Sequence, residues 1–163
     1  MADCVQALKE WTGKSSANVI FDSIVDEFTD QGLFENVKGK GNIALVAFTD
    51  DGDVFGGFYS IAVTLQVKYF FDPNMFVFSF ESHGRCETPM KFTLKAEKRG
   101  DVGVEFFKND YGGKFVNIGV HYSHFNLGNE MSNTDSWYMS SAFEGIEDTT
   151  LTGEEDFRCI RIL

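Results

Sequence analysis

The stretch NIALVAFTDDGDVFGGFYS, residues 42–60, decides the fold class of this protein. It opens with six apolar residues at 43–48, a continuous run typical of a strand that is buried on both faces. Asp51-Gly52 then suits a tight hairpin turn, because glycine adopts the positive φ that such turns require. Residues 54–59 follow as the partner strand, and their Gly56-Gly57 pair predicts either a bulge or a close approach by a neighbouring backbone.

The same alternation of short apolar strands and polar turns continues through the rest of the chain. Three phenylalanines, Phe76, Phe78 and Phe80, lie at every second position and therefore share one face of a predicted strand. Strict alternation in the last strand predicts that Cys159 and Ile162 point to opposite faces. Further strands are predicted at 69–71, 91–96, 102–107, 115–122 and 157–163. Seven or more such strands favour a mainly β (α+β) fold, a two-layer antiparallel β-sandwich, over a βαβ array.

Two helical segments are predicted at the periphery of the sandwich. Val5, Leu8 and Trp11 recur at every third position within 3–11, which Gly13 ends. A second and weaker helical pattern covers roughly 23–28 and 32–37. The apolar stripe of the first helix is short, so we expect this helix to lie on the domain and to make few core contacts.

The composition of the 163 residues is that of one globular domain with an aromatic core. Its 18 Phe and 2 Pro indicate a thick β core, since phenylalanine buries a large apolar area and favours pleated surfaces. A hydrophobic fraction of 43% and a mean hydropathy of −0.17 argue against both a disordered tail and membrane insertion. The cysteines Cys4, Cys86 and Cys159 do not form a disulfide framework, and no signal-peptide pattern is present. We therefore expect a reduced, cytoplasmic environment.

The charge balance argues against nucleic acid as a partner. With 25 acidic and 14 basic residues the formal net charge is −11, whereas binding to a phosphate backbone depends on Lys and Arg. The basic residues Lys91, Lys95, Lys98 and Arg99 form the candidate cationic face, and we interpret them as a solvated strand edge. Six acidic residues between Glu144 and Asp156 form either a solvated loop or a docking surface for a basic partner.

Three other motifs contain ligating or reactive residue types, but none predicts a catalytic, cofactor or metal site. The Gly-Lys-Ser of 13–15 resembles the end of a phosphate-binding loop, but it follows a helix and lacks the first glycine. His121 and His124 would point to opposite faces of a strand, and no third metal ligand accompanies them. The acidic cluster 50–53 lacks the spacing of a calcium loop and predicts a solvated hairpin tip.

Cys86 is the candidate reactive thiol, within the sequence His83-Gly84-Arg85-Cys86-Glu87. Arg85 would favour the thiolate form of Cys86, whereas Glu87 would oppose it. A thiol that ionises readily and is exposed can react with peroxide. Antioxidant chemistry centred on Cys86 is therefore an alternative to a purely binding role.

Segment 42–60 strongly resembles the TLDc domain family, in which an apolar strand and an Asp-Gly turn precede Val-Phe-Gly-Gly and an aromatic residue. Residues 71–80, FDPNMFVFSF, are similar to the family's next block, and 20–23, IFDS, to its opening strand. Later blocks are matched by Ile118-Gly119, Ser141-Ala142-Phe143 and Asp156-Phe157. The resemblance implies a TLDc-like β-sandwich domain over 18–163, with 1–17 as an N-terminal helical extension.

The same resemblance implies a role in protection against oxidative stress and, as in several family members, binding to the vacuolar proton pump. We therefore expect a non-catalytic protein-interaction module whose partner is another protein, with subunits of that pump as candidates. Thiol-based antioxidant activity at Cys86, and stress-linked nucleic-acid binding through 91–99, are the alternatives. The resemblance transfers no catalytic, cofactor or metal-binding residue to this chain, and it leaves the oligomeric state open.

Overall fold

Two antiparallel sheets pack face to face, as the strand pattern predicts. The computed structural model describes residues 2–109, 111–120, 123–128 and 134–163. The strands are β1 Ile43–Thr49, β2 Val54–Tyr59, β3 Phe70–Phe71, β4 Phe76–Glu81, β5 Met90–Thr93, β6 Gly103–Phe106, β7 Lys114–Val120, β8 Ser123–Gly128, β9 Asp135–Trp137 and β10 Cys159–Ile162. The first sheet has the order β10-β1-β2-β4-β5 and the second the order β3-β6-β7-β8-β9. The prediction of a mainly β, two-layer sandwich is confirmed.

Two α-helices accompany the sheets, α1 over Ala2–Thr12 and α2 over Asp30–Val37. Thr29 caps α2, since its side-chain oxygen accepts a hydrogen bond from the Gly32 backbone N–H at 2.9 Å. In the first half of the predicted second helix, residues 23–26 form a turn and a bend instead, and residues 27–28 have no regular structure. The extended backbone of Thr29 marks the start of α2, and the start of the preceding segment is tied to β10, since the Ser23 backbone N–H donates to the Ile162 carbonyl at 3.0 Å.

The core between the sheets is built from aromatic side chains of both layers. Phe55 of β2 meets Phe125 of β8 edge to face, with ring centroids 5.3 Å apart. Phe34 of α2 packs against Phe106 of β6 at a centroid distance of 5.6 Å, so α2 extends this core. All four rings are nearly or fully buried. Phenylalanine therefore provides much of the contact between the two layers.

The first sheet is also apolar on its outer face, which α1 covers. Phe58, Phe76 and Phe78 form a second buried cluster there. Trp11 of α1 stacks on Phe80 at 5.8 Å and meets Phe76 edge to face at 6.1 Å. The phenylalanine face predicted from the alternation is confirmed, and α1 is the element that buries it. α1 makes these contacts through Leu8 and Trp11, which agrees with the few core contacts expected from its short apolar stripe.

The turn at 72–74 carries the chain from the second sheet to the first. Because β3 pairs with β6 and β4 pairs with β2, the strands predicted on either side of this turn belong to different sheets. The carboxylate of Asp72 is fully buried and accepts hydrogen bonds from the Ser60 backbone N–H, the Ser60 hydroxyl and the Asn74 backbone N–H. These bonds satisfy the buried charge and fasten the turn to the end of β2.

The last strand departs from strict alternation. Cys159 pairs with Thr49 and Arg161 with Phe48, which leaves Ile160 as an extra residue in a bulge. Cys159 and Ile162 are therefore both buried, and the prediction that they point to opposite faces is wrong. The bulge shifts the phase of the strand by one residue.

Gly56→Ala should destabilise the fold, because β1 approaches β2 closely at this position. A Cβ on Gly56 would lie 1.9 Å from the Leu45 carbonyl oxygen and 2.7 Å from the Phe78 ring. Overpacking of this kind should lower the free energy of unfolding by about 3 kcal/mol, measured by urea denaturation. Gly100→Ala is the matched control, since nothing lies within 4 Å of a Cβ there. Equal effects of the two substitutions would contradict the close approach.

Candidate functional site

Arg85 joins three segments of the chain at one end of the first sheet. Its Nη2 lies 2.6 Å from the carboxylate of Asp53, which follows the turn between β1 and β2. The same guanidinium donates hydrogen bonds to the backbone carbonyls of Thr150 and Leu151, at 3.1 Å each. The segments that meet here are 50–53, 81–87 and 147–156. We call them together the Arg85 junction.

Asp53 is the buried anchor of this junction. Its side chain is 2% exposed, and the oxygen that faces Arg85 also lies 2.8 Å from Nδ1 of His83. The prediction of a solvated hairpin tip is correct for Asp50 and Asp51, which are exposed, and wrong for Asp53. The reason is that a cation from another loop reaches this carboxylate, which is the condition for burying a charge.

The loop that carries Arg85 is held in shape by its own hydrogen bonds. The Glu81 carboxylate accepts the backbone N–H of His83 at 2.9 Å and that of Ser82 at 3.0 Å. These two bonds, the one from His83 being the stronger influence, hold the pKa of Glu81 below its usual range. Glu81 is therefore a fixed negative charge at the edge of the junction.

Cys86 follows Arg85 in the chain, but the Arg85 guanidinium binds groups other than the Cys86 thiol. The guanidinium binds Asp53 and two backbone carbonyls, which are the contacts described above. The Cys86 Sγ instead lies 3.4 Å from the hydroxyl of the fully buried Ser82. The Cys86 backbone N–H also donates to that hydroxyl, at 3.2 Å. This geometry gives Cys86 a structural role in closing the loop.

Acidic residues crowd the junction. Its three segments contain ten of the 25 acidic residues of the chain, and Arg85 is their one basic residue other than histidine. The junction therefore carries a formal charge of −9 out of the −11 of the whole chain. Arg158 borders it, since its carbonyl accepts the Asp50 backbone N–H at 3.1 Å. The exposed acidic residues are Asp50, Asp51, Glu81, Glu87, Glu147, Glu154, Glu155 and Asp156.

The acidic segment 147–156 is anchored by the residues at its centre. Leu151 is fully buried, and Thr150 and Thr152 are nearly so. Asp148 fastens the start of the segment, because its carboxylate accepts the Ser140 backbone N–H at 2.9 Å. The segment is thus an ordered surface from which the exposed acidic side chains project.

Comparison with known families identifies the fold. The family model of the TLDc domain matches residues 3–162, nearly the whole chain. The chain belongs to the TLDc domain family. It is thus a module of a family related to oxidative stress. A search of curated proteins found no match. The match begins inside α1, and the boundary between an extension over 1–17 and a domain over 18–163 stays a prediction.

The other residues that the sequence singled out are not part of the three segments of the Arg85 junction of this TLDc domain. They include the basic residues Lys91, Lys95, Lys98 and Arg99, on and after β5, and Lys14, which follows α1. Glu144, the first residue of the acidic tract, binds the Thr93 carbonyl through its backbone N–H at 2.8 Å. Burial raises the pKa of the Cys159 thiol to about 11, so this cysteine is protonated at neutral pH.

Neither a metal cluster nor a membrane span occurs in the part of the TLDc domain that the structure describes. Its His, Cys, Asp and Glu side chains do not converge in a group of three or more that could hold an ion. None of its helices is long and apolar enough to cross a bilayer. His121, half of the histidine pair in the sequence, lies outside the described residues.

His124, the other half of that pair, belongs to a polar cluster on the second sheet. Its Nε2 lies 3.4 Å from the carboxylate of Asp135, which also receives Lys114 Nζ at 3.0 Å. Asn126 donates to Asp135 at 2.5 Å and accepts a hydrogen bond from Asn117 at 2.9 Å. Burial by itself would raise the pKa of Asp135, but the hydrogen bonds from His124, Lys114 and Asn126 outweigh it and lower the pKa to about 2.

Arg85→Gln should destabilise the TLDc domain, because it leaves the buried Asp53 carboxylate with His83 as its remaining ionisable partner. Asp53 is buried while the Arg85 side chain is 27% exposed, so the loss of this partner should lower the free energy of unfolding by about 1 to 3 kcal/mol, the cost of leaving a buried acceptor unsatisfied. Urea denaturation at neutral pH measures this change. Arg99→Gln removes an exposed arginine and should change stability by less than about 0.5 kcal/mol. Equal stabilities of the two variants would contradict the anchoring role of Arg85.

Asp135→Asn should destabilise the domain in a pH-dependent manner. The folded-state pKa of Asp135 lies below its ordinary value of 3.8, so its charge stabilises the fold above about pH 4 and that contribution is lost as the pH falls through about 2. We expect a loss of about 1 to 2 kcal/mol at neutral pH, shrinking towards zero near pH 2, in urea denaturation. The exposed Asp101→Asn serves as control. A loss that does not vary with pH would contradict this account.

Proposed function

We propose that this TLDc domain is a non-catalytic interaction module that docks a basic surface of another protein on the Arg85 junction. The observation that carries the proposal is the concentration of charge, because the junction holds −9 of the −11 formal charges on three segments tied to one arginine. A surface of one sign attracts a partner of the opposite sign and speeds their association.

The order of the acidic surface supports a binding role. The burial of Thr150, Leu151 and Thr152 fixes the backbone on which Glu154 and Glu155 stand. A surface that is ordered before binding loses less conformational entropy when the partner arrives. The mutual repulsion of so many acidic residues is a cost in the free protein, and a basic partner would relieve it.

The family suggests the identity of the partner and the setting. We propose that the module acts in the oxidative-stress response, in the cytoplasm, and that its partner is a subunit of the vacuolar proton pump. We infer the pump as the partner from the resemblance of 42–60 and 71–80 to the family's blocks. We infer that the partner's contact surface is basic from the negative charge of the junction. The two parts of the proposal are therefore separable by experiment.

A non-catalytic role agrees with the contacts at the junction. Arg85 and His83, the groups that could activate a nearby thiol, both lie against Asp53. Cys86 contacts the hydroxyl of the buried Ser82 and packs against the main core cluster. These contacts support a structural role for the loop rather than thiol chemistry.

Neutralising the exposed acidic residues should weaken partner binding. We expect the variant Glu154→Gln/Glu155→Gln/Asp156→Asn to bind the purified cytosolic sector of the vacuolar proton pump roughly tenfold more weakly than the unmodified chain, because it loses three charges. Affinity should also fall as salt is raised from about 50 to 300 mM. Equilibrium binding of the full chain to the immobilised sector provides the measurement.

The matched control removes three exposed acidic residues elsewhere, as Glu10→Gln/Glu27→Gln/Glu97→Gln. It has the same net charge as the junction variant and should bind about as well as the unmodified chain. Equal weakening by both triple variants would show that net charge, not the junction, determines binding. Absence of binding at low salt would contradict the pump as the partner.

A further inference from the structure

A groove of about 370 Å³ lies between the end of α1 and the outer face of the first sheet. Trp11, Phe58 and Phe76 line it together with Lys14 and Lys91, and we call it the Trp11 groove. It lies at the end of the sheet where β1 begins and β2 finishes, whereas the Arg85 junction lies at the opposite end of these strands. Its volume lies within the lower part of the range of small-molecule sites.

The apolar part of the groove consists of aromatic rings that are already packed. Phe58 and Phe76 stack with their ring centroids 4.9 Å apart and an interplanar angle of 22°. Trp11 meets Phe76 edge to face, and its side chain is partly exposed. Phe58 and Phe76 are nearly buried, so the partly exposed Trp11 is the ring that can offer a planar ligand an aromatic contact without a change in the fold. The groove is therefore suited to a flat, aromatic group.

Two cations face this aromatic surface. The Nζ of Lys91 lies 5.3 Å from the centroid of the Phe76 ring, where the ring attracts its charge. Lys14 is exposed in the segment that follows α1. Neither lysine belongs to an ion pair within the described ranges of the chain. In a protein of net charge −11, two lysines without acidic partners in one groove favour an anionic ligand.

Polar side chains complete the lining. Asn74 and Thr93 contribute an amide and a hydroxyl group, which can donate hydrogen bonds to the oxygens of an anion, whereas the single O–H of Ser60 is donated to Asp72. The acidic group behind them, Asp72, is fully buried and accepts hydrogen bonds from Ser60 and from the Asn74 backbone N–H. Its carboxylate therefore accepts hydrogen bonds within the turn at 72–74 and from Ser60.

From this combination we propose that the Trp11 groove binds a small aromatic anion, a single planar ring that carries a phosphate or carboxylate group. The ring would pack on the exposed part of Trp11, and the anionic group would lie between Lys14 and Lys91. This site goes beyond the protein-docking role and is independent of it, since it shares no residue with the Arg85 junction.

Trp11 provides the readout. The chain has two Trp, so the variant Trp137→Phe leaves Trp11 as the single fluorophore, and Trp137 lies on the other sheet. Titration with phenyl phosphate should change its fluorescence in a saturable way, with half-saturation near or below ~1 mM. Inorganic phosphate, which lacks the ring, and phenol, which lacks the charge, should each bind at least roughly tenfold more weakly.

Paired variants distinguish binding in the groove from an effect of the net charge of the protein. Lys14→Gln/Lys91→Gln should weaken phenyl phosphate binding by roughly tenfold, and the exposed Lys14→Gln alone by about threefold. Lys95→Gln/Lys98→Gln changes the net charge equally outside the groove and should leave binding within about twofold. The triple acidic variant of the junction should also leave it unchanged. Circular dichroism confirms that each variant is folded.

Several outcomes would overturn the proposal. One is the absence of a saturable signal, and another is equal binding of phosphate or phenol, which would show that ring and charge are not both recognised. Unchanged binding by folded Lys14→Gln/Lys91→Gln would place the ligand elsewhere. A phosphotyrosine peptide that binds at least roughly tenfold more tightly than phenyl phosphate would assign the groove to a protein segment rather than a free ligand.

Discussion

Phenylalanine on both faces of the first sheet is the constraint on which the rest of the structure depends. A sheet that is apolar on both faces must be covered on both, because exposed rings forgo the free energy of burial. The second sheet covers the inner face, where Phe55 meets Phe125, and α1 covers the outer face with Trp11. Gly56 lies within β2, where a side chain would collide with the backbone of β1. α1 therefore contributes to the packing of the domain, because it buries the outer face of the first sheet.

The same strands separate two surfaces of opposite character. At one end of β1 and β2, Arg85 gathers three segments that hold most of the net negative charge. At the other end, Lys14 and Lys91 face aromatic rings in the Trp11 groove. The distance between the two surfaces follows from the length of β2, since six residues of a strand span about 20 Å. The domain thus presents a surface suited to a basic protein and a groove suited to an anion, far enough apart to be occupied together.

The strands with strong apolar patterns are those that the sequence predicts well. The hairpin of β1 and β2 and the phenylalanine face of β4 are confirmed, because alternation and turn chemistry are local properties. β8 and β9 have no such pattern, since Asn126 and Asp135 interrupt it, and their polar side chains are satisfied by cross-strand partners. The predicted helix over 23–28 is absent, and Ser23 instead exchanges hydrogen bonds with Ile162 of β10. Each difference arises where a neighbour in space outweighs a neighbour in sequence.

The sequence by itself determined the mainly β class, the aromatic core, the acid excess and, through its resemblance, the TLDc family, because composition and short periodic patterns express these properties directly. Only the tertiary structure decided which charged groups meet. The sequence predicts that Asp53 is a solvated residue of a turn. In the structure, Arg85 from a loop about 30 residues later binds Asp53 and also the carbonyls of Thr150 and Leu151. Contacts of this kind depend on strand order and register, which a one-dimensional pattern of apolar and polar residues does not specify.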